Sequence, residues 1–392
     1  MKALTWQGKR DVRVEEVPDP TIQEPTDIVI KVTTSGLCGS DLHLYEVLGP
    51  FMTAGDILGH EPMGTVVATG SAVTNVSEGD RVVIPFQIAC GTCWMCERNL
   101  QTQCETTQMR ETGMGAALFG YSSLYGAVPG GQAEYLRVPH GDYGPIKIES
   151  DLDDEHFVYL SDVMPTAWQA LEYAAVREGE TLLVIGLGPI GDMAARFALH
   201  RGIRVIGTDL VPERLQRAAA QGVEVLDVTS GDVADHVRQM TNGRGADGVI
   251  DAVGMEAHGS PVAQTAQTAV GFLPDFMARK IMTTASVDRM AAIYLAIDAV
   301  RRGGTISLSG VYAGTSDPLP LQVLFDKQVQ LRMGQANVKR WIDDVKPLAE
   351  DSSDPLGLAH FATHRVPLAD GPSVYQNFQD KKDDTIKVLF KP

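Results

Sequence analysis

The sequence predicts a two-domain α/β protein, in which a β-rich domain of short strands accompanies a doubly wound parallel sheet with helices on both faces. Length is the first reason, because 392 residues exceed what one typical core accommodates. Up to about residue 150, short β-rich runs are separated by Gly, Pro and Asp. From Arg177 onward, strand-like and helix-like segments alternate, and this alternation is typical of a parallel sheet.

The first domain is predicted to contain short strands and tight turns. Its strands are indicated by the runs IVIKVTTSG, PMGTVVATG and DRVVIPF. Strand character returns in KKDDTIKVLF, after the alternating segments have ended. We therefore expect one domain to comprise residues 1–163, to carry a cysteine-rich lobe at residues 90–104, and to be rejoined by residues 336–392.

The second domain is expected at residues 164–335. Its successive segments are TLLVIG, an Ala-rich helix, IRVIGTD, the helix PERLQRAAAQG, ADGVIDAVG, TISLSGV and VQLRMGQ. The connection between Gly254 and Thr305 spans 50 residues. Its second half, DRMAAIYLAIDAVRRGG, is predicted as a helix that stops at Gly303 and Gly304. Its first half exceeds what one crossover needs, so we interpret residues from about 256 to 287 as an insertion.

Composition excludes several classes of partner. The net charge of -17 argues against nucleic acid or an anionic membrane surface, because either needs clustered Lys and Arg. No run reaches the roughly 18 apolar residues of a membrane helix. The start MKALTWQGKRDV lacks the apolar core of a secretory signal. We therefore expect a cytoplasmic protein that acts on a small molecule.

A glycine-rich turn follows the strand TLLVI and opens a helix. Its residues are Gly186, Leu187, Gly188, Pro189, Ile190 and Gly191. Gly186 permits a tight turn, Gly188 lets the backbone approach a pyrophosphate, and Gly191 lets helix and strand pack closely. The helix N-terminus adds unpaired N–H groups for the anion. The pattern predicts a dinucleotide site, with a glycine-rich turn that has no ligand as the alternative.

Asp209 ends the next strand, 18 residues beyond Gly191. A carboxylate in this position accepts hydrogen bonds from the adenosine ribose hydroxyls and repels a 2′-phosphate. The sequence therefore favours NAD over NADP. Arg214 follows five residues later, and it either lies along the adenine or weakens this preference.

Four of the five cysteines form the pattern C-x2-C-x2-C-x7-C, which suits a closed tetrahedral zinc with no open position for chemistry. The residues are Cys90, Cys93, Cys96 and Cys104. Such a site is saturated by protein, so its predicted role is to hold the lobe in shape. Buried cysteines without a metal are the alternative.

Cys38 is the remaining cysteine, and it stands apart in SGLCGSDLH. A catalytic zinc needs three protein ligands and one open position. His60 lies beside Glu61 in GHEPMG. Because the same chain also contains Cys38 and a nicotinamide site, we interpret His60 as a metal ligand, with a core histidine as the alternative. No cysteine is left for the third ligand, so that ligand must be an oxygen or a nitrogen atom.

In order and over nearly the whole chain, these motifs resemble those of the zinc-dependent medium-chain alcohol dehydrogenases. The matching motifs are CGSDLH, GHEPMG, GDRVVIPF, the four-cysteine lobe, GGQAEY and GLGPIG. The resemblance implies a GroES-like catalytic domain, a Rossmann-type domain that binds NAD, one catalytic zinc and one structural zinc. The stretch LSDVMPTAW resembles the branch that contains glutathione-independent formaldehyde dehydrogenase and formaldehyde dismutase.

That branch uses an aspartate where many relatives have a cysteine ligand, and the matching residue is Asp162. The resemblance thus implies that Cys38, His60 and Asp162 bind the catalytic zinc. A helix cap before PTAW is the alternative role of Asp162. Because a carboxylate donates less electron density than a thiolate, we expect this zinc to be a stronger Lewis acid.

The resemblance also implies roles for residues around the metal. Ser40 would contact the substrate oxygen, and His43 would relay its proton through the cofactor ribose to solvent. Asp41 would orient the ligand histidine, unless it serves only in a turn. Glu61 would assist water exchange at zinc.

Three further residues match positions at the cofactor and the substrate. Thr166 would touch the nicotinamide, and Lys387 would lie near the pyrophosphate. Phe86 would line the substrate pocket, or would pack in the core.

The predicted function is hydride transfer between NAD and a small alcohol or aldehyde hydrate, with formaldehyde or a short aldehyde as the leading substrate class. In the formaldehyde branch, an insertion covers the cofactor and slows its release, but EAHGSPVAQTAQTAVGFLPDFMARK differs from the expected sequence. A dehydrogenase of a bulkier secondary alcohol, polyol or amino alcohol is one alternative. A nicotinamide-binding protein without turnover and a zinc-free quinone reductase are others. The resemblance further implies a homo-oligomer, either a dimer or a tetramer.

Overall fold

The computed structural model describes residues 1–254, 290–312, 319–382 and 384–392. The insertion predicted at about residues 256–287 lies outside the described residues. The chain divides into two compact units. The first unit comprises Met1–Pro165 and Ala336–Pro392, and the second comprises Thr166–Gln335.

The strands of the described residues run in the following order. They are β1 Lys2–Gly8, β2 Asp11–Glu16, β3 Ile28–Leu37, β4 Asp56–Ile57, β5 Glu61–Thr69, β6 Arg81–Val83, β7 Tyr135–Val138, β8 Ile146–Ile148, β9 Thr181–Ile185, β10 Arg204–Asp209, β11 Glu224–Asp227, β12 Ala246–Asp251, β13 Val300–Leu308, β14 Gln330–Met333, β15 His364–Pro367 and β16 Val388–Lys391.

The α-helices of the described residues are fewer and mostly short. They are α1 Gly39–Glu46, α2 Asp154–Phe157, α3 Val163–Ala174, α4 Pro189–His200, α5 Pro212–Ala220, α6 Val233–Met240, α7 Ala291–Ala299, α8 Leu321–Lys327, α9 Val338–Glu350 and α10 Gly371–Gln379.

The first unit is β-rich, as its punctuated sequence predicts. One sheet has the order β2-β1-β4, and a larger sheet has the order β15-β16-β3-β5-β6-β8, with β7 also paired to β3. The strands β3 and β5 are antiparallel and Gly36 pairs with Glu61. Residues that follow β3 and residues that precede β5 therefore lie at the same end of this sheet.

The second unit contains a parallel sheet of six strands among the described residues, in the order β11-β10-β9-β12-β13-β14. Strand β9, TLLVI, is buried along its whole length, which is typical of a central parallel strand covered on both faces. The chain proceeds from β9 to β10 on one side and later to β12 on the other. This reversal creates the crevice at which such sheets bind ligands, and the predicted fold class is confirmed.

One predicted helix end is wrong. Helix α7 ends at Ala299, and Gly303 and Gly304 belong to β13. Val300 already pairs with Ala246 of β12, and the register shifts before Thr305 pairs with Gly248. The two glycines therefore accommodate an irregularity in a strand instead of stopping a helix.

No helix of the described residues is long and apolar enough to cross a membrane.

Candidate active site and metal centres

The four-cysteine lobe brings its thiols together at zinc spacing. One ligand atom from each of the four lies within 4.8 Å of the others, and the Sγ atoms of Cys93 and Cys104 are 3.8 Å apart. Thiolates about 2.3 Å from a tetrahedral zinc lie about 3.8 Å from one another. All four cysteines are free thiols. Their donor type and spacing fit a structural zinc.

Hydrogen bonds lower the pKa of two of these thiols, Cys90 and Cys93, whereas burial raises the pKa of Cys96. The hydroxyl of Thr106 lies 3.1 Å from the Sγ atom of Cys90, and the amide of Glu105 donates to Cys93 at 3.3 Å. Burial opposes ionisation of Cys90, but hydrogen bonds from Thr106 and Thr92 lower its pKa to about 6. Cys90 and Cys93 are therefore the thiols that ionise most readily, and a zinc ion would stabilise all four as thiolates.

A second cluster lies where β3 ends and β5 begins. Cys38 follows β3 and is the N-cap of α1, while His60 directly precedes β5. Asp162 directly precedes α3. Its carboxylate Oδ2 lies 3.6 Å from the Cys38 Sγ atom and 3.6 Å from His60 Nε2. Around a tetrahedral zinc, these separations would be about 3.6 Å and about 3.4 Å, so the three residues fit a zinc site with one open position.

The charges of this cluster also call for a cation. Burial, and then the Asp162 carboxylate, raise the pKa of the Cys38 thiol. Burial alone would lower the pKa of His60, but Asp41 and Asp162 outweigh it and raise that pKa well above its ordinary value. A divalent metal at this position would stabilise the thiolate and the carboxylate together and would take the lone pair of Nε2.

Helix α1 supplies the side chains next to this cluster. Asp41 Oδ1 lies 3.1 Å from His60 Nδ1, and Asp41 Oδ2 accepts the Cys38 amide at 3.0 Å. The hydroxyl of Ser40 lies 3.2 Å from His60 Nε2 and therefore borders the metal position. His43 is three residues further along α1, on the same face as Ser40.

Glu61 joins the cluster from the other side. One of its carboxylate oxygens lies within 4.8 Å of the ligand atoms of Cys38, His60 and Asp162. The ammonium of Lys387, itself fully buried, forms an ion pair with Glu61 and donates to Leu37 O at 3.1 Å. In this arrangement Lys387 is engaged by Glu61, and its predicted contact with a pyrophosphate stays a prediction.

Phe86 lies beside the ligand histidine. Its ring centroid is 6.4 Å from that of His60, and its amide donates to Ser161 O at 3.2 Å, next to Asp162. Phe86 is 8% exposed, so it can both pack in the core and border the metal position. Thr166 belongs to the second unit, in α3.

The glycine-rich turn adopts the geometry that its sequence predicts. Gly186 has φ +87°, and a Cβ atom on Gly191 would lie 1.8 Å from Gly186 O. Gly188 is the N-cap of α4, where Pro189 occupies the first turn and Ile190 follows. A Cβ on Gly188 would meet Arg214 at 3.6 Å, an ordinary contact. The turn thus presents bare backbone at a helix N-terminus.

Asp209 ends β10 beside this turn. Its Oδ2 accepts the Leu187 amide at 2.7 Å, and its Oδ1 accepts the amides of Leu210 and Val211. The Arg214 guanidinium is 3.6 Å from Asp209 Oδ2. Asp209 is therefore held in place with its negative charge at the end of the strand, and Arg214 offsets part of that charge.

Sequence reasoning missed two buried residues that support Asp41. Gln132 donates through Nε2 to Asp41 Oδ2 at 3.3 Å, and Tyr375 donates to Gln132 Oε1 at 2.7 Å. Gln132 lies in the motif GGQAEY, which was visible but suggested no role. Tyr375 lies 243 positions from Gln132 along the chain, so no local pattern could have identified it.

Two family models match this chain. The family model of the alcohol dehydrogenase GroES-like domain matches residues 24–148, and that of the zinc-binding dehydrogenases matches residues 189–269. The uncharacterized zinc-type alcohol dehydrogenase-like protein AdhB of Bacillus subtilis is 39% identical over 100% of both chains.

Two further similarities bear on the site. Formaldehyde dismutase of Pseudomonas putida is 34% identical over 82% of this chain and 77% of its own length. The solved structure of alcohol dehydrogenase TADH from Thermus sp. ATN1 has a TM-score of 0.82 and 33% identity, and the match covers 100% of this chain and 99% of that one.

Proposed function

Because this chain belongs to the zinc-dependent medium-chain alcohol dehydrogenase family, we propose that it transfers hydride between NAD and a small alcohol or aldehyde hydrate. It is a zinc-type alcohol dehydrogenase enzyme with a catalytic zinc, a structural zinc and a nicotinamide cofactor. The main support for the substrate class is the ligand set at the metal position. The carboxylate of Asp162 completes a ligand set with Cys38 and His60 at zinc spacing.

In this mechanism Cys38, His60 and Asp162 would hold the catalytic zinc. Bound zinc supplies a Lewis acid that lowers the pKa of a hydroxyl and polarises a carbonyl. Asp41 keeps the proton of His60 on Nδ1, so that Nε2 faces the metal position. The four-cysteine lobe has no open position and takes no part in the reaction.

The hydroxyl of Ser40 takes the proton of the substrate hydroxyl, since it borders the metal position. His43, on the same face of α1, would relay the proton toward solvent through the ribose of a bound cofactor. A bound nicotinamide would supply the hydride acceptor, so that an alcohol would yield an aldehyde, NADH and a proton. Glu61 assists exchange of water at the metal.

The geometry around Asp209 supports NAD as the cofactor. Its carboxylate stands at the end of β10, one strand away from the glycine-rich turn, where it can accept the ribose hydroxyls of the adenosine. Arg214 lies against it, at 3.6 Å, and would flank the adenine. We expect the protein to prefer NAD over NADP despite Arg214, because the Asp209 carboxylate would repel a 2′-phosphate.

Formaldehyde or another short aldehyde hydrate is the proposed substrate. The aspartate ligand supports this class, and so does the similarity to formaldehyde dismutase and to the glutathione-independent formaldehyde dehydrogenase of Pseudomonas aeruginosa, which is 33% identical over 66% of the chain. In a dismutation, one hydrate loses hydride to NAD and becomes the acid. A second aldehyde takes that hydride and a proton and becomes the alcohol, so the cofactor can stay bound.

The first experiment is to purify the protein without added nicotinamide, to denature it, and to quantify NAD, NADH and zinc per chain. A held cofactor predicts close to one equivalent of nicotinamide, and formaldehyde would then be consumed without added NAD. Almost no nicotinamide would contradict the dismutase-like proposal. The chain would then use NAD as a diffusing cosubstrate, and a panel of primary, secondary and amino alcohols would identify its substrate.

A homo-oligomer is the proposed assembly. Apolar side chains stand exposed on helix α8 and strand β14, the last strand of the parallel sheet in the part of the chain that the structure describes. Phe325 is 87% exposed, Leu321 66% and Met333 58%. An outer strand with unpaired backbone groups beside exposed apolar side chains favours pairing with a second copy.

A further inference from the structure

We propose that Gln132 and Tyr375 are positioning residues for the zinc ligand His60, because they hold the carboxylate of Asp41 in the orientation that faces the imidazole. This inference rests on the proposed function, in which His60 binds the catalytic zinc. Neither residue touches the ligand itself. They act through Asp41, so the ligand's orientation is set by two further layers of buried polar side chains.

The contacts form one continuous chain. The Tyr375 hydroxyl donates to Gln132 Oε1 at 2.7 Å, and Gln132 Nε2 donates to Asp41 Oδ2 at 3.3 Å. Asp41 Oδ1 then lies 3.1 Å from His60 Nδ1. Tyr375, Gln132 and Asp41 are each 0% exposed, and His60 is 5% exposed. Water cannot replace a lost partner easily at this depth, so each bond constrains the next.

The direction of every bond in this chain is determined by chemistry. A carboxylate only accepts hydrogen bonds, so the Gln132 amide must turn its NH2 group toward Asp41. Its oxygen then faces Tyr375, whose hydroxyl must donate. Burial, and then the charge of Asp41, raise the pKa of Tyr375 well above its ordinary value, so this donor keeps its proton. A proton on His60 Nδ1, 3.1 Å from Asp41 Oδ1, leaves Nε2 with its lone pair toward the metal.

The backbone prevents Gln132 from moving away. Its amide donates to Leu58 O at 2.9 Å, and its carbonyl accepts the Leu4 amide at 2.8 Å. Gly59, directly before His60, has φ +97°, and a Cβ atom there would lie 2.3 Å from the Gln132 Cγ atom. Only glycine allows the histidine turn to approach Gln132 this closely. Gln132 is thus held between Leu4 of β1 and Gly59, the residue before His60.

Tyr375 links this network to helix α10, near the carboxyl end of the chain. Without its hydroxyl, Gln132 Oε1 is buried without its donor, and only Asp41 and Gly36 O, which accept from Nε2, still hold the amide. An amide held at one end only can tilt away from the Asp41 carboxylate. Asp41 would then hold His60 less firmly, and the metal would dissociate faster.

The test compares Tyr375→Phe with Tyr45→Phe, a matched control. Tyr45 is also buried, and its ring centroid lies 5.5 Å from that of Tyr375. Each change removes one hydroxyl from the same apolar cluster. Three quantities are measured. They are the zinc content per chain, the rate at which a chromogenic chelator removes the more rapidly released zinc ion, and the visible spectrum after substitution by Co²⁺.

We expect Tyr375→Phe to accelerate zinc release by about tenfold and to shift the Co²⁺ spectrum, as loss of a supporting hydrogen bond to a ligand does. Tyr45→Phe should match the wild type in both. Gln132→Glu, a variant of the same size, should release zinc faster still, because it sets a second carboxylate against Asp41.

Two outcomes separate this inference from the proposed function. Suppose that the wild-type chain holds two zinc ions, and that Tyr375→Phe has the same zinc-release rate and the same Co²⁺ spectrum as Tyr45→Phe. The positioning role is then wrong. If the wild-type chain holds only the zinc of the four-cysteine lobe, the proposed function fails first. A shift of the Co²⁺ spectrum in Tyr375→Phe alone supports the role even where turnover is unchanged, since a purely structural hydroxyl would not alter the ligand field.

Discussion

Around His60, the acidic side chains of Asp41, Glu61 and Asp162 are all buried. Glu61 is 1% exposed and Asp162 is 8% exposed, and the Cys38 thiol lies 3.6 Å from Asp162. Lys387 forms an ion pair with Glu61. Buried like charges are costly unless a counterion accompanies them, so the metal is part of what makes this arrangement stable.

The first prediction concerns Asp162→Asn, which replaces an anionic oxygen ligand by a neutral amide. We expect zinc to fall from two ions per chain to one, since the four-cysteine lobe is untouched. The rate should fall by at least about a hundredfold, because a Lewis acid contributes several kcal/mol. Zinc is measured by elemental analysis. Asp153→Asn is the control, since Asp153 is exposed nearby, and full zinc in Asp162→Asn would exclude the ligand role.

The second prediction concerns Asp209→Asn. The change keeps an oxygen for the Leu187 amide but removes the charge that opposes a 2′-phosphate. We expect the ratio of kcat/KM for NADP to that for NAD to rise by about tenfold or more, with Arg214 free to attract the phosphate. Asp227→Asn, on the adjoining strand β11, should leave the ratio unchanged. An unchanged ratio in Asp209→Asn would remove Asp209 from cofactor discrimination.

At the scale of secondary structure, Gly188 and Gly191 of the glycine-rich turn differ in the space around them, although one sequence motif contains both. Gly191 is needed for packing, because its Cβ would overlap Gly186 O at 1.8 Å. Gly188 has room for a Cβ, with its nearest contact at 3.6 Å. We therefore expect glycine at position 188 to serve a ligand that approaches the backbone. Replacing each glycine by alanine tests this difference between Gly188 and Gly191.

The third prediction follows from this pair. Gly191→Ala should destabilise the protein by about 1–3 kcal/mol, because the turn must shift to admit the methyl group. Gly188→Ala should change the free energy of unfolding by less than about 0.5 kcal/mol and should weaken NADH binding by roughly tenfold. Urea unfolding and NADH fluorescence titration measure the two effects. Equal NADH affinity in Gly188→Ala and the wild type would place the pyrophosphate elsewhere.

At the scale of the whole molecule, exposed apolar surface is concentrated on consecutive elements of the second unit. Leu321 and Phe325 belong to α8, and Met333 belongs to β14. The net charge of -17 opposes association at long range. We therefore expect an interface between copies to combine this apolar surface with backbone pairing along the outer strand.

The fourth prediction is that Phe325→Asp converts the oligomer to a smaller species. A carboxylate in place of a phenyl ring that is 87% exposed costs little in a lone chain, but it would be buried at an interface. Light scattering coupled to size-exclusion chromatography measures the mass. Val67→Asp, at an exposed position on β5 of the other unit, is the control. An unchanged mass would place the interface elsewhere, and a monomeric wild type would contradict the proposed assembly.

Local sequence was sufficient for the features whose parts lie close together along the chain. The four cysteines of the lobe span 15 residues, and the glycine-rich turn follows its strand directly. The alternation of strands and helices likewise sufficed for the parallel sheet, because burial on both faces leaves continuous apolar runs such as TLLVI. Resemblance to a family added Asp162, which spacing could not have identified.

Folding had to assemble the rest, since the partners are far apart along the chain and carry no periodic signal. Asp162 lies 124 positions from Cys38, Lys387 lies 326 from Glu61, and Tyr375 lies 243 from Gln132. Strand β13, which contains Gly303 and Gly304, shows the same limit, because pairing between Val300 and Ala246 ends the helix before it reaches the two glycines. Local motifs specify donor types and turns, whereas only packing brings distant charges within hydrogen-bonding distance of one metal ligand.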